Sequence, residues 1–215
     1  MRWNMELLLD GDLGKLPKKA HESIQQIYDN SKRMIVLVND LLNVARIDQN
    51  RGHEEKLAID IGQILSDVVK AMYGEGMRHE VKITLKKTTA SVPKILASSK
   101  HFYEAFQNLI SNGIKYNRVG GTVVVTLTES DASTVVTVAD TGIGIPESAQ
   151  SKIFSKFFRA PNAVLKETEG SGLGLSVVKS YLEEAGASIR FESQENVGTT
   201  FFIEFPHPSI VPKKT

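Results

Sequence analysis

Four short segments of this chain carry residues able to do chemistry together, and the first is a carboxylate followed at once by a glycine turn, Asp140-Thr141-Gly142-Ile143-Gly144-Ile145. The carboxylate ends an apolar run (Val135, Val136, Val138), so it faces a cleft, while Gly142 and Gly144 let backbone approach a flat ligand without a side-chain clash. Upstream, Glu104, Asn108 and Asn112 recur at i, i+4 and i+8 and so form one polar stripe on an otherwise apolar helix (Phe102, Phe106, Leu109, Ile110). The alternative for such a stripe is a solvent-facing edge; the functional reading is a set of oxygen donors beside a phosphorylated ligand. Lys115 lies one turn beyond Asn112 and can reach phosphate as a point charge, and Tyr116 can pack its ring beside a ribose or base. Downstream, Gly170-Ser171-Gly172-Leu173-Gly174-Leu175 precedes a helical pattern, whose N-terminus offers free amides and a positive dipole end to phosphate. Arg159, ahead of a polar stretch over residues 161–169, is positioned to contact a terminal phosphate. The last segment is Asn196-Val197-Gly198-Thr199-Thr200, which joins two strands and reads equally as an ordinary hairpin. Glycine pairs singly close common turns, and the second glycine segment alone fits a dinucleotide loop, although its first glycine does not follow a strand. In their order along the chain the segments describe a nucleotide pocket.

The elements that must hold these residues follow from periodicity and punctuation. Ser98 is a plausible N-cap for the asparagine helix, and Asp60-Ile61-Gly62-Gln63 has capping-box spacing for a helix running to about Arg78. Strands are expected over residues 81–85, 122–128 and 134–138, where apolar and polar residues alternate, with Gly120-Gly121 turning into the second. Helices interleaved with antiparallel-looking strands predict an α+β fold, a two-layer α/β sandwich with helices on one face of a mixed sheet. The cluster Ile153-Phe154-Ser155-Lys156-Phe157-Phe158 is expected to anchor a mobile lid formed by residues 161–169, with Phe154 in the core. A helix over residues 175–185 follows the hinge at Gly170, Gly172 and Gly174.

The N-terminal part reads as a helical hairpin broken by Gly11, Gly14 and Pro17. In its second arm Ile24, Ile27, Met34, Val38, Leu41 and Ala45 form a seam, widened by Leu37, Leu42 and Val44 to the face that a four-helix bundle needs. The other reading is an amphipathic helix packed on its own domain. Residues 49–56 form a polar linker. The expected division is a hairpin over residues 1–52, a second domain over 53–208 and a tail over 209–215.

Taken together, the asparagine helix, the two glycine segments, the phenylalanine cluster between them and the final Gly-Thr resemble the N box, glycine boxes, phenylalanine box and G-T of the ATP-binding catalytic domain of sensor histidine kinases, a branch of the Bergerat superfamily. The resemblance spans residues 24–206, and Asp40-Leu41-Leu42-Asn43-Val44-Ala45-Arg46-Ile47-Asp48 is similar to the end of the family's dimerisation helix. It implies ATP and magnesium as ligands. Asn112 would be the Mg²⁺ ligand, Asp140 would accept a hydrogen bond from the adenine amino group, and Thr199 would lie near the base. With Asn108, Lys115, Tyr116, Gly142, Gly144, Ile145, Arg159, Gly170, Gly172, Leu173, Gly174 and Leu175, these complete the expected ATP site. Asn108, Lys115 and Arg159 are its expected catalytic set. The resemblance further implies a response-regulator receiver domain as partner and a homodimer formed through the hairpin.

Related ATPases carry a water-activating glutamate four residues before the magnesium asparagine; here that position is Asn108, an amide that cannot act as a base. Glu104 is a further turn away, about 6 Å along the helix axis. Histidine phosphorylation needs no strong base, so a kinase is the favoured reading. The family's H-E/D-x-x-R-T-P-like acceptor box is missing: His21-Glu22-Ser23-Ile24 lacks the arginine, threonine and proline, and His21 is expected at the surface. The chain therefore reads as part of a longer kinase whose acceptor lies upstream, able to bind ATP but not to autophosphorylate. A nucleotide-gated binding module without catalysis is the alternative, and an ATPase follows it.

Bulk composition agrees with these readings. The chain has 215 residues, 41% of them hydrophobic, enough for a full core. Lys plus Arg number 26 against 25 Asp plus Glu, so no strong field favours nucleic acid or an anionic membrane. There is no cysteine, which excludes disulfides and thiolate metal sites. The absence of a long apolar run and of a signal-peptide pattern leads to the expectation of a cytoplasmic chain, or the cytoplasmic part of a membrane-anchored sensor.

Overall fold

A computed structural model describes residues 2–14, 16–48, 55–88, 94–130, 132–167 and 170–207. Its contacts divide the chain into two units, Met1–Gln49 and Asn50–Thr215. Residues 49–54 of the expected 49–56 linker, both proposed domain boundaries and the tail at 209–215 lie outside the described residues.

The first unit holds two helices joined through a glycine-bearing turn. Helix α1 (Arg2–Leu9) ends where Gly11 and Gly14 take positive φ, and α2 (Lys18–Asp48) starts directly after Pro17. Proline suits that entry because its missing N–H would have had no helical partner. The Tyr28 hydroxyl donates to Glu6 Oε1 at 2.5 Å, tying the two arms together. Tyr28 is buried, whereas the seam residues Ile27, Met34 and Val38 are 55%, 60% and 54% exposed. The side chains of Leu37, Leu41, Leu42, Val44 and Ala45 lie outside the described residues. His21 is exposed, as expected.

The second unit begins with β1 (Leu57–Ile59) and α3 (Ile61–Arg78). Asp60 caps α3 as predicted, its Oδ1 accepting from the Gln63 amide at 3.1 Å. Strands β2 (Lys82–Lys87) and β3 (Ile95–Ala97) lead to α4 (Ser99–Lys115), which Ser98 caps by accepting from the His101 amide at 3.2 Å. Then come β4 (Thr122–Glu129), β5 (Ser133–Asp140), the short helices α5 (Glu147–Gln150) and α6 (Pro161–Lys166), α7 (Gly174–Glu184), β6 (Ser188–Gln194) and β7 (Gly198–Pro206).

The main sheet has the order β2-β4-β5-β7-β6, parallel between β2 and β4 and antiparallel elsewhere, so it is mixed. Alternation fixes which face is covered: Val123, Val125 and Leu127, Val136 and Val138, and Phe201, Ile203 and Phe205 are buried. Helices α3, α4 and α7 pack side by side on that face, giving the two-layer arrangement. Phe102 and Phe106 of α4 are fully buried, and the Phe102 ring lies 5.5 Å from that of Phe205. Burial of each such side chain contributes about 1.5–3 kcal/mol. The core thereby clamps α4, the helix with the polar stripe, against β5 and β7. A separate two-stranded antiparallel pair, β1 with β3, was not foreseen.

One expectation changes. Phe154 is half-buried, not a core residue; Ile153 takes the buried place, while Phe154 sits edge-on to Phe191 at 5.9 Å beneath Lys179. The stretch at 161–169 contains α6, with Pro161 in its first turn and no buried residue. Thr168 and Glu169 lie outside the described residues.

Candidate functional site

Asp140 is the last residue of β5, and the turn after it runs against the end of α4. The Ile143 amide donates to the Tyr116 carbonyl at 2.9 Å. A methyl added at Gly142 would lie 2.4 Å from that same carbonyl, so only glycine fits there. Gly144, at φ +63°, is needed for its conformation, and a Cβ there would meet the Gln194 carbonyl at 2.0 Å. Asp140 Oδ1 accepts from the amides of Gly142 at 2.8 Å and Thr199 at 3.2 Å. The carboxylate is thus held at one oxygen by backbone from two separated segments. Burial pushes the Asp140 carboxyl up to about 6, against the lowering pull of those two amides.

On α4, Asn112 Nδ2 donates to Asn108 Oδ1 at 3.1 Å, so the two amides of the stripe are mutually oriented. That geometry commits the Asn112 nitrogen and the Asn108 oxygen and points to Asn112 Oδ1 as the oxygen available to a hard cation. Among the described residues no group of three or more His, Cys, Asp or Glu could hold a metal, so a cation here would depend on one amide oxygen and on its ligand's phosphates. Lys115 is exposed at the end of α4, and Tyr116 is its half-buried C-cap.

The second glycine segment reaches the same stripe. Gly174 opens α7, and a methyl there would stand 2.5 Å from the Asn108 amide nitrogen, so the helix start presses directly on Asn108. No side chain caps α7. Leu173 is buried and accepts from Ser176 Oγ at 2.7 Å, anchoring the turn, while Leu175 is half-buried. Gly172 passes against the backbone of Phe157 and Phe158, and Gly170 lies beside the Arg159 guanidinium. Arg159 itself donates through Nη2 to the carbonyls of Ala163, at 3.3 Å, and Glu167. It braces the segment that contains α6.

Several residues at the site carried no sequence signal. Asn117 is buried: its Nδ2 donates to the carbonyls of Gly113 at 2.8 Å and Thr122 at 3.1 Å, and its Oδ1 accepts from Thr141 Oγ1 at 3.2 Å. It locks the Asp140 turn to α4. Ser193 Oγ accepts from the Ile145 amide at 2.8 Å and lies 2.8 Å from Thr199 Oγ1, so the Gly-Thr segment at the start of β7 is tied to the first glycine turn. Asn162 Nδ2 donates to the Gly144 carbonyl at 2.9 Å, joining α6 to that turn. These partners come from different elements, and only the fold brings them together.

Fold and site thus define a class, and comparison with known proteins agrees. Residues 97–209, more than half of the chain, match the family described as histidine kinase-, DNA gyrase B- and HSP90-like ATPase, and the chain belongs to that family. Within it the similarity is to sensor histidine kinases. The chain is 27% identical over 205 residues to the circadian input-output histidine kinase CikA of Synechococcus elongatus, covering 95% of this chain and 27% of CikA. It is 32% identical over 205 residues to the sensor protein SrrB of Staphylococcus aureus, covering 94% of this chain and 34% of SrrB. The chain therefore spans about a third of the length of these relatives. Among solved structures, full-length ShkA in complex with AMPPNP matches with a TM-score of 0.74 at 24% identity, over 94% of this chain and 43% of that one. The histidine kinase ThkA in complex with the response regulator TrrA matches with a TM-score of 0.68 at 20% identity, over 95% and 58%. At those identities the two structures establish the shared fold. No helix among the described residues is long and apolar enough to cross a membrane.

Proposed function

We propose that this chain is the ATP-binding catalytic part of a sensor histidine kinase, which passes the γ-phosphoryl group of ATP to a histidine outside this chain for onward transfer to a response-regulator aspartate. The observation that carries the reading is the seating of Asp140. One carboxylate oxygen is fixed by the Gly142 and Thr199 amides, and the other is available to the exocyclic amino group of adenine. Gly142, Gly144 and Ile145 would line the base, with Tyr116 and Thr199 beside it. Lys115, the amides at Gly174 and Leu175, and Gly170 and Gly172 would receive the phosphates. Magnesium, coordinated by Asn112 Oδ1, would supply charge neutralisation across the phosphate oxygens. Arg159 would turn from the carbonyls of Ala163 and Glu167 toward the γ-phosphate when nucleotide enters. Asn108 orients Asn112 and does not act as a base.

In the reaction a neutral imidazole nitrogen attacks the γ-phosphorus, the bond to the β–γ bridging oxygen breaks, and ADP leaves. Positioning and charge neutralisation are what the chain must provide. A hydrolase is disfavoured because Glu104, the carboxylate of the stripe, accepts a hydrogen bond from Tyr181 on α7 at 3.2 Å. The test is to incubate the chain with Mg²⁺ and γ-labelled ATP, with and without a separate helix bearing an intact histidine box. Acid-labile label on the added histidine alone is the expected result. Nucleotide binding with no label on any such helix would favour the nucleotide-gated module instead.

A further inference from the structure

Helices α4 and α7 pack antiparallel, and two of their contacts bear on the polar stripe. Near the start of α7, Gly174 meets Asn108. Seven residues on, about 10 Å along the axis, the buried Tyr181 donates its hydroxyl proton to Glu104 Oε2 at 3.2 Å. The Tyr181 ring also stacks on His101, one turn earlier on α4, with centroids 3.9 Å apart and planes 5° from parallel. His101 Nδ1 lies 3.5 Å from Glu184 Oε2, and Lys56 Nζ donates to the Glu184 carbonyl at 3.1 Å. The two places differ in kind. At Gly174 the helix start bears on Asn108 through backbone alone, with no side-chain cap and no directional side-chain bond between the two helices. At Tyr181 a directional hydrogen bond and a parallel ring stack both fix the axial register.

We propose that Tyr181, through its hydrogen bond to Glu104, is a positioning residue that sets the N-terminal amides of α7 against Asn108 and Asn112, and so tunes phosphate binding separately from adenine binding. The inference rests on the ATP reading given above. It assigns Glu104, the third member of the stripe, a structural partner on the phosphate-binding helix in place of a catalytic part. Adenine is held by β5, β7 and the first glycine turn, none of which depends on the register of α7. Loss of the Tyr181 hydroxyl should therefore weaken contacts to phosphate and leave contacts to the base unchanged.

The experiment is calorimetric titration of the full chain with AMPPNP and Mg²⁺, and in parallel with adenosine, for wild type, Tyr181→Phe, Glu104→Ala and the double variant, each with a thermal melt. Tyr181→Phe keeps the ring stacked on His101 and removes only the hydroxyl. Each single variant is expected to weaken AMPPNP roughly three- to tenfold, the effect of one part-buried hydrogen bond, with adenosine within about twofold of wild type. The double variant should be no weaker than the weaker single one, because both lose the same bond. Equal weakening of AMPPNP and adenosine, additive losses, or unchanged AMPPNP affinity in Tyr181→Phe would overturn the proposal. Wild type that binds neither ligand would instead overturn the ATP reading on which it rests.

Discussion

At the scale of single residues, Asp140 concentrates the most testable physics. Its carboxyl is pushed up to about 6 by burial, although two amides pull the other way. In the folded chain it therefore holds a proton below that pH, whereas in the unfolded chain it would lose that proton near 3.8. The stability contribution of such a group is fully present below the unfolded value and is lost as pH rises through about 6. Ionised Asp140 thus costs the fold up to about 3 kcal/mol at neutral pH. Asp140→Asn should be more stable than wild type at pH 7.5, and denaturant melts should show that advantage shrinking as pH falls through 6. Binding should run in the opposite direction. The ionised carboxylate is the better acceptor for the adenine amino group, so affinity for ATP should fall below pH 6 in wild type and stay flat in Asp140→Asn. At pH 7.5 that variant should bind about one to two orders of magnitude more weakly, the worth of a charge-assisted hydrogen bond. Titrations between pH 5 and 8 check both halves, and an affinity that does not change with pH in wild type would remove Asp140 from the base contact.

At the scale of elements, the start of α7 separates packing from function. Gly174 is helical, so alanine there meets no backbone penalty and gains helix propensity. The added methyl would meet the Asn108 amide, which is the movable end of a side chain. Gly174→Ala should therefore melt within about 1 kcal/mol of wild type while nucleotide affinity drops, because a displaced Asn108 no longer orients Asn112. Paired melts and AMPPNP titrations check this; a parallel loss of both would mean that the glycine serves packing. The elements also show what was legible in the sequence. Asp60 and Ser98 announced α3 and α4 because a capping side chain acts on an amide three residues away, a signal contained in the sequence itself. The glycine turns were legible for the same reason. The β1–β3 pair was not: two three-residue strands separated by all of α3 and β2 carry no period, and only tertiary pairing makes them strands. The parallel β2–β4 pairing was equally hidden, since alternation reports a covered face and not strand direction. Asn117, Ser193 and Asn162 were missed because each serves the site through partners on other elements. Phe154 was misplaced because hydrophobicity alone does not distinguish a core ring from one capped by Lys179.

At the scale of the whole molecule, the first unit presents a problem of exposed apolar surface. Ile27, Met34 and Val38 on α2 are each more than half exposed, and their spacing of seven and four keeps them on one side of the helix. A stripe of this kind on a 31-residue helix is costly in water and is relieved when a second copy covers it. The chain is accordingly expected to self-associate through α2, and Met34→Glu combined with Val38→Glu is expected to yield monomers, because a dimer would bury the new charges unpaired. Multi-angle light scattering across a concentration series distinguishes these outcomes, and a wild-type chain that stays monomeric at high concentration would contradict the expectation. Asp140, Asn112 and Gly174 all lie in the second unit, so the charged double variant should bind AMPPNP as wild type does. Its transfer of label to an added histidine helix then separates two roles for the hairpin. Unchanged transfer would confine α2 to assembly, whereas transfer lost with binding intact would mean that association through α2 is needed to present an acceptor to the γ-phosphate.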